Sequence, residues 1–341
     1  MKAMVLNGIV DLMKDDPLVL KEVPDPVPGS HDLLIRVAAC GVCHTEMDEI
    51  EGRTPPPHFP VILGHQVVGR VIGTGNLVTR HKEGDRVGVA WIFSACGKCE
   101  YCRSGFENLC PYFKATGRDA DGGYAEYMVV GEDYAYPVPD VFADTEVAPL
   151  LCAGTIGYRS VRLCNLKDGQ NLGLTGFGAS AHLVIKMVRQ AYPNVDVFVF
   201  SRNEQERAYA GSLGAVWSGP IEATAPERMH SIIDTTPVWK PIVEAMKNLR
   251  PGGRLVINAI GKEDIDKEYL TKLNYTTHLW MEKEIKSVAN VTRADVTEFL
   301  DLAAGVPIKP DKQEFRLEDA NDVLTGMKRG KLRGSLVLKI G

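Results

Sequence analysis

Four cysteines stand close together in one stretch of the chain: Cys96, Cys99, Cys102 and Cys110. The pattern Cys-x2-Cys-x2-Cys-x7-Cys gives a single short loop four soft ligands, and a zinc ion takes four thiolates in a tetrahedron. When sulfur fills every position, none is left for water or substrate. Such an ion closes a loop that has no core of its own, so the role is structural. Four unrelated surface thiols would leave this density unexplained. An iron–sulfur cluster also suits the spacing, but the neighbouring motifs favour zinc. The chain has eight cysteines, and in a large cytoplasmic chain they are expected as thiols or metal ligands rather than disulfides.

At 341 residues the chain is long enough for two domains and a core that needs no disulfides. Its composition, 45% hydrophobic and 24% charged, excludes collagen-like, coiled-coil and wholly disordered chains. Lys and Arg number 39 against 44 Asp and Glu, a net charge of −5. That balance argues against a general nucleic-acid or anionic-membrane binder. No apolar run is long enough to span a bilayer. The stretch from Met1 to Pro17 meets Asp11, Asp15 and Asp16 and is no secretory signal, so the cytoplasm is the expected location.

Two textures divide the chain. Up to about residue 150, Gly and Pro alternate with short β-branched runs such as Leu33–Val37, Val67–Ile72 and Arg86–Val89. This predicts a mostly β domain, followed by a helix from near Leu151 that carries Ala153 to Val161. From about 170, strands and helices alternate. Strands are predicted at Asn171–Thr175, Val195–Phe200, Ile232–Ile233 and Arg254–Ala259. Helices are predicted at Ala179–Ala191, Glu204–Leu213 and Lys240–Leu249, the last ended by Pro251-Gly252-Gly253. Gly214 is a natural cap for the second of these helices. This rhythm predicts a doubly wound parallel sheet. A final helix near Ala294–Ala304 precedes a strand, Ser335–Ile340, that returns to the first domain.

Three scattered residues form a second metal-ligand candidate. Cys43 lies in Gly-Val-Cys-His-Thr at a turn between strand and helix. His65 lies in Gly-His-Gln directly before a strand, and Cys152 opens a helix. Each alone reads as an ordinary core or surface residue, as Cys40 and Cys164 do. Together, two thiolates and one imidazole leave zinc one open position. An open position binds an alcohol or carbonyl oxygen, as a Lewis acid requires.

The loop Gly176-Phe177-Gly178-Ala179-Ser180-Ala181 follows a predicted strand and opens a helix. Glycines there allow a tight turn and close approach of a pyrophosphate to the helix N-terminus, and Ala181 lets helix and sheet pack closely. An acid at the end of the next strand would hold the ribose hydroxyls of NAD(H) and repel a 2′-phosphate. Ser201 stands there, followed by Arg202. A hydroxyl and a guanidinium suit a phosphate, so NADP(H) is favoured over NAD(H). The alternative is that Arg202 points to solvent or stacks on adenine, and NAD(H) is used.

Taken together these motifs resemble the zinc-dependent alcohol dehydrogenases of the medium-chain dehydrogenase/reductase superfamily, in its bacterial and archaeal branch. The carriers are Cys43-His44-Thr45, Gly64-His65, the four-cysteine lobe, Asp121-Gly122-Gly123-Tyr124-Ala125-Glu126-Tyr127, Ala148 to Thr155, Gly176-Phe177-Gly178 and Asn290 to Asp295. The resemblance spans nearly the whole chain. It implies an α/β protein with a GroES-like, mostly β catalytic domain (1–152 and 290–341) and a Rossmann domain (153–289), the structural zinc lobe covering 94–112. It further implies two zinc ions per chain, with Cys43, His65 and Cys152 holding the catalytic one. Thr45 would pass the alcohol proton toward the cofactor ribose. His44 and Arg293 would reach the cofactor phosphates. Trp91 falls where the family often places an aromatic wall of the alcohol pocket, or is a plain core residue.

Three positions depart from the family pattern. Gln66 replaces a glutamate that can serve as an alternative zinc ligand. Glu46 replaces an aspartate that supports the zinc-bound histidine and is one methylene longer. Asp48 stands where many relatives carry the outer histidine of a proton relay, which here ends at Asp48 or runs straight to water. The activity implied is reversible oxidation of a small-molecule alcohol to an aldehyde or ketone with NAD(P), in a homodimer or homotetramer. The same fold acting on a polyol or reducing an enal C=C bond is an alternative. A non-catalytic zinc- and nucleotide-binding protein is a rival of another class.

Overall fold

The computed structural model describes residues 1–306, 308–332 and 334–341. Its contacts divide the chain into two compact units, Met1–Thr155 with Val291–Gly341, and Ile156–Asn290. The helix Ala153–Leu163 runs across this division.

The first unit is built on the long strand Asp32–Val42, whose inward residues Leu33, Ile35, Val37 and Cys40 are buried. Val67–Thr74 pairs antiparallel along it, Arg86–Val89 pairs with that strand, and Ala135–Pro137 closes the edge. Tyr127–Gly131 also pairs with Asp32–Val42. The expected strand at the C-terminal end is present as Ser335–Lys339. It returns to pair antiparallel with Asp32–Val42, Leu338 opposite Cys40. Lys312–Arg316, which periodicity did not reveal, lies parallel on its other side, and the helix Ala320–Lys328 joins the two. A small second sheet pairs Lys2–Leu6 with Leu18–Glu22 and Val61–Ile62. Side chains of both sheets, among them Leu6, Leu33, Ile35, Val67, Met128 and Leu338, share one core.

The second unit carries a six-stranded sheet that is parallel throughout. Its order is Trp217–Gly219, Asp196–Phe200, Asn171–Thr175, Met229–Asp234, Leu249–Ile257, Glu284–Ser287. The order steps outward in both directions from Asn171–Thr175, which is the doubly wound pattern. Helices Ala179–Ala191, Glu204–Ser212 and Lys240–Met246 form near their predicted limits. One prediction needs correction: Pro251-Gly252-Gly253 does not separate a helix from a strand but lies inside the strand Leu249–Ile257. The register explains this. Leu249 pairs with Met229 and Arg254 with Ser231, so the residues between them bulge outward, with Gly252 at φ +67. The edge strand Glu284–Ser287 is exposed along its length, which is why no apolar alternation announced it.

No helix among the described residues is long and apolar enough to cross a membrane. Leu338 is fully buried and ties the returning strand to the core. Leu338→Ala should therefore cost about 2–5 kcal/mol of stability. Limited proteolysis should show the loss in the first unit, with the 156–290 unit protected as before.

Candidate functional site

The turn after strand Asp32–Val42 carries Cys43 at the N-cap of helix His44–Ile50, where its Sγ accepts the Thr45 N–H at 3.4 Å. Glu46, the third helical residue, is wholly buried and reaches back. Its Oε2 accepts the Cys43 backbone N–H at 2.8 Å, and its Oε1 lies 2.8 Å from His65 Nδ1. The imidazole is thereby turned so that Nε2 faces Cys43 Sγ at 3.7 Å. His65 sits just past Gly64, whose φ is +97. A Cβ at Gly64 would strike the Tyr124 ring at 2.4 Å, so only glycine lets the chain pass there. Cys152 completes the set from the start of the helix Ala153–Leu163.

The ligand atoms of Cys43, His65 and Cys152 all lie within 4.8 Å of one another. Zinc–ligand bonds of about 2.0–2.3 Å in a tetrahedron put ligand atoms roughly 3.5–3.8 Å apart, so the 3.7 Å contact between Cys43 and His65 suits a metal. Hydrogen bonding with the Cys152 thiol, then burial, then Glu46 push the Cys43 thiol well above its usual range. Burial alone would lower His65, but Glu46 and Cys43 hold its pKa well above the usual histidine value. A divalent cation among these three groups relieves both conditions, and the donor set fits zinc.

The four lobe cysteines likewise bring their sulfurs within 4.8 Å of one another. Cys96 and Cys102 are 3.9 Å apart, Cys99 and Cys102 3.5 Å. Backbone N–H groups of Cys96 and Tyr112 both donate to Cys110 Sγ at 3.4 Å. The N–H groups of Lys98 and Cys99 pull the Cys96 thiol down to about 6. Such N–H···S contacts stabilise thiolate, the form zinc needs. The lobe also holds a buried acid, Glu107. Its Oε1 accepts the Arg293 backbone N–H at 2.7 Å and approaches Arg293 Nε at 3.3 Å. Arg293 also lies over the Tyr134 ring, 5.5 Å from its centroid, and 3.7 Å from Asp133.

The other first-unit candidates fall as follows. His44 is exposed and Thr45 half-buried. Asp48 accepts Arg53 Nε at 2.5 Å, so its carboxylate is committed to an ion pair. Burial raises its pKa against the pull of that arginine. Gln66 is buried against Gly41, where a Cβ would meet its Oε1 at 2.5 Å. Trp91 stacks on Phe113 at 4.7 Å with the Arg118 guanidinium 5.7 Å from its ring.

In the second unit Gly176 turns at φ +75, and a Cβ there would press Thr235 and Thr236 at 3.0 Å. Phe177 is buried against Tyr209. Gly178 is the N-cap of helix Ala179–Ala191, and no side chain caps the helix. A Cβ on Gly178 would meet nothing within 4 Å. Ala179 and Ser180, at the helix start, are half-buried. Open backbone N–H groups at an uncapped N-terminus suit a phosphate. Beneath the loop lies a buried ion pair that sequence reading missed: Lys262 Nζ is 2.5 Å from Asp234 Oδ2, and Thr175 Oγ1 donates to Asp234 Oδ1 at 2.5 Å. Ser201 is buried, with Arg202 exposed beside it.

Glu49 was also missed. It lies one turn beyond Glu46 on the same helix face, wholly buried, and neither carboxyl oxygen has a hydrogen-bond partner among the described residues. Burial, then the charge of Glu46, drive its pKa well above the usual glutamate range. The folded state thus keeps a proton that the unfolded chain loses above about pH 4.3, and stability falls as pH rises through that window. Glu49→Gln should therefore gain stability over the parent with rising pH, by up to about 1.4 kcal/mol per pH unit. Melting curves from pH 4 to pH 8 check this; a difference that stays constant across that whole range would refute it.

The alcohol dehydrogenase GroES-like domain family matches residues 29–140. A probable alcohol dehydrogenase, AdhA, of Mycobacterium tuberculosis (strain CDC 1551 / Oshkosh) is 40% identical over 327 residues, covering 94% of this chain and 92% of its own. An alcohol dehydrogenase of Geobacillus stearothermophilus is 32% identical over 350 residues, covering 100% and 99%. Among solved structures, a cinnamyl alcohol dehydrogenase of Sorghum bicolor superposes with a TM-score of 0.86 at 26% identity, covering 99% of this chain and 98% of its own. Likeness along the full length, in sequence and in fold, makes this chain a member of the zinc-type alcohol dehydrogenases of the medium-chain dehydrogenase/reductase superfamily.

Proposed function

We propose that this alcohol dehydrogenase is a zinc-dependent enzyme that interconverts a small-molecule alcohol and its aldehyde or ketone, using NADP(H) in preference to NAD(H). The observation that carries this reading is the three-member donor set Cys43, His65 and Cys152, which leaves a tetrahedral ion one position for substrate.

Zinc, when bound there, supplies a Lewis acid to the alcohol or carbonyl oxygen, and the dinucleotide accepts or gives the hydride. The chain's own residues do the rest. Cys43 and Cys152, as thiolates, balance the charge of a divalent ion. Glu46 fixes the His65 ring through Nδ1 and so determines which nitrogen faces the metal. Thr45, two residues beyond Cys43, would accept the alcohol proton and pass it on. Asp48 would be the outer group of that path, held in place by its pairing with Arg53. Cys96, Cys99, Cys102 and Cys110 would hold a second, structural zinc. Gly176 to Ser180 would take the pyrophosphate, and Ser201 with Arg202 would meet the adenosine ribose; His44 and Arg293 are assigned to the cofactor phosphates by the family resemblance. Trp91, braced by Phe113, forms an aromatic wall for the substrate.

None of the eight cysteines is paired in a disulfide, which suits a reducing cytoplasm. The exposed edge strand Glu284–Ser287 offers a free sheet edge for a homodimer or homotetramer.

Cys152→Ser should lose one of two zinc ions per chain and lower aldehyde-dependent NADPH oxidation by at least about 100-fold. NADPH binding should stay within about twofold. Metal analysis, fluorescence titration and turnover over a panel of aldehydes check this. Full turnover by a variant lacking the ion of the Cys43, His65 and Cys152 set would sink the reading.

A further inference from the structure

The strand end assigned above to the adenosine ribose carries Ser201 and Arg202 in sequence, with no acid beside them until Glu204. The folded chain brings one there from further along. Glu206 stands in the first turn of helix Glu204–Ser212, and its Oε2 accepts the Ser201 hydroxyl at 2.6 Å. Asn203, the N-cap, closes the arrangement. Its Oδ1 accepts the Gln205 and Glu206 N–H groups at 2.8 and 3.2 Å, while its own N–H donates to Ser201 Oγ at 3.1 Å. The carboxylate is therefore held at the strand end by the helix cap and by the serine. Arg207 Nη1 donates to the Ser201 carbonyl at 2.7 Å, and Arg202 is exposed beside it.

A carboxylate at this place accepts ribose hydroxyls and repels a 2′-phosphate. A guanidinium does the reverse. Both are present, so the serine's hydroxyl is committed to an acid rather than left open for a phosphate. We infer that Glu206 is a specificity-determining residue that opposes Arg202 and limits the preference for NADP(H) over NAD(H). The inference rests on the dinucleotide reading above. It adds that the preference is a balance of opposed charges around the strand end rather than the property of Ser201 and Arg202 alone.

The test compares Kd for NADPH and NADH, by nicotinamide fluorescence, in the parent, Glu206→Gln, Glu206→Ala and Arg202→Ala. Gln keeps an acceptor for the Ser201 hydroxyl, so it removes charge without removing the bond. Both Glu206 variants should shift the ratio of Kd values toward NADPH by about five- to tenfold, and the shift should shrink in high salt. A ratio that stays within about twofold of the parent, or that moves toward NADH, overturns the inference. The dinucleotide reading fails separately. If the parent binds NADH more tightly and Arg202→Ala leaves NADPH affinity unchanged, the assignment of Arg202 is wrong, whereas the shift caused by Glu206 is still measured as a ratio.

Discussion

One buried carboxylate organises the metal-ligand set. Glu46 binds the backbone of Cys43 with one oxygen and sits on the imidazole of His65 with the other. Those two residues come from different elements, and this contact sets the angle between a helix start and a strand entry. The extra methylene relative to aspartate is accommodated because Glu46 is the third residue of a helix capped by Cys43. From that position a longer arm reaches back to its own cap and across to the ring. A side chain without an acceptor there would leave the His65 ring free to turn.

What could be read from the sequence follows the range of the physics. Cysteine spacing in the lobe and glycines in the nucleotide loop act within one segment, and both motifs took the expected local form. The parallel sheet was legible because each of its inner strands is a short apolar run. Elements whose stability comes from partners were not. Glu284–Ser287 is exposed and exists because Leu249–Ile257 offers it a ladder. Lys312–Arg316 exists because Ser335–Lys339 does. In the site the same distinction holds. Glu49 looks like one more charge on a polar helix, Glu46-Met47-Asp48-Glu49, until the fold buries its face. Glu107 reads as a lobe surface acid, yet it is enclosed and binds Arg293 across a long stretch of chain. Glu206 reads as a helix charge, and only the Asn203 cap reveals where its carboxylate is held. Each is an acid whose function depends on what the fold places beside it.

The return of Ser335–Lys339 to Asp32–Val42 also orders the life of the nascent protein. Everything from Ile156 to Asn290 leaves the ribosome between those two strands, and a contiguous unit of that kind can fold as soon as it emerges. The first unit has to wait with only the Ala39–Val42 end of its central strand lacking a partner, a slow, non-local closure that leaves a short adhesive edge exposed meanwhile. Cys43 lies directly beyond that waiting strand. The surroundings of Cys43 are thus completed only at the end of biogenesis, after the contiguous 156–290 unit has had time to fold.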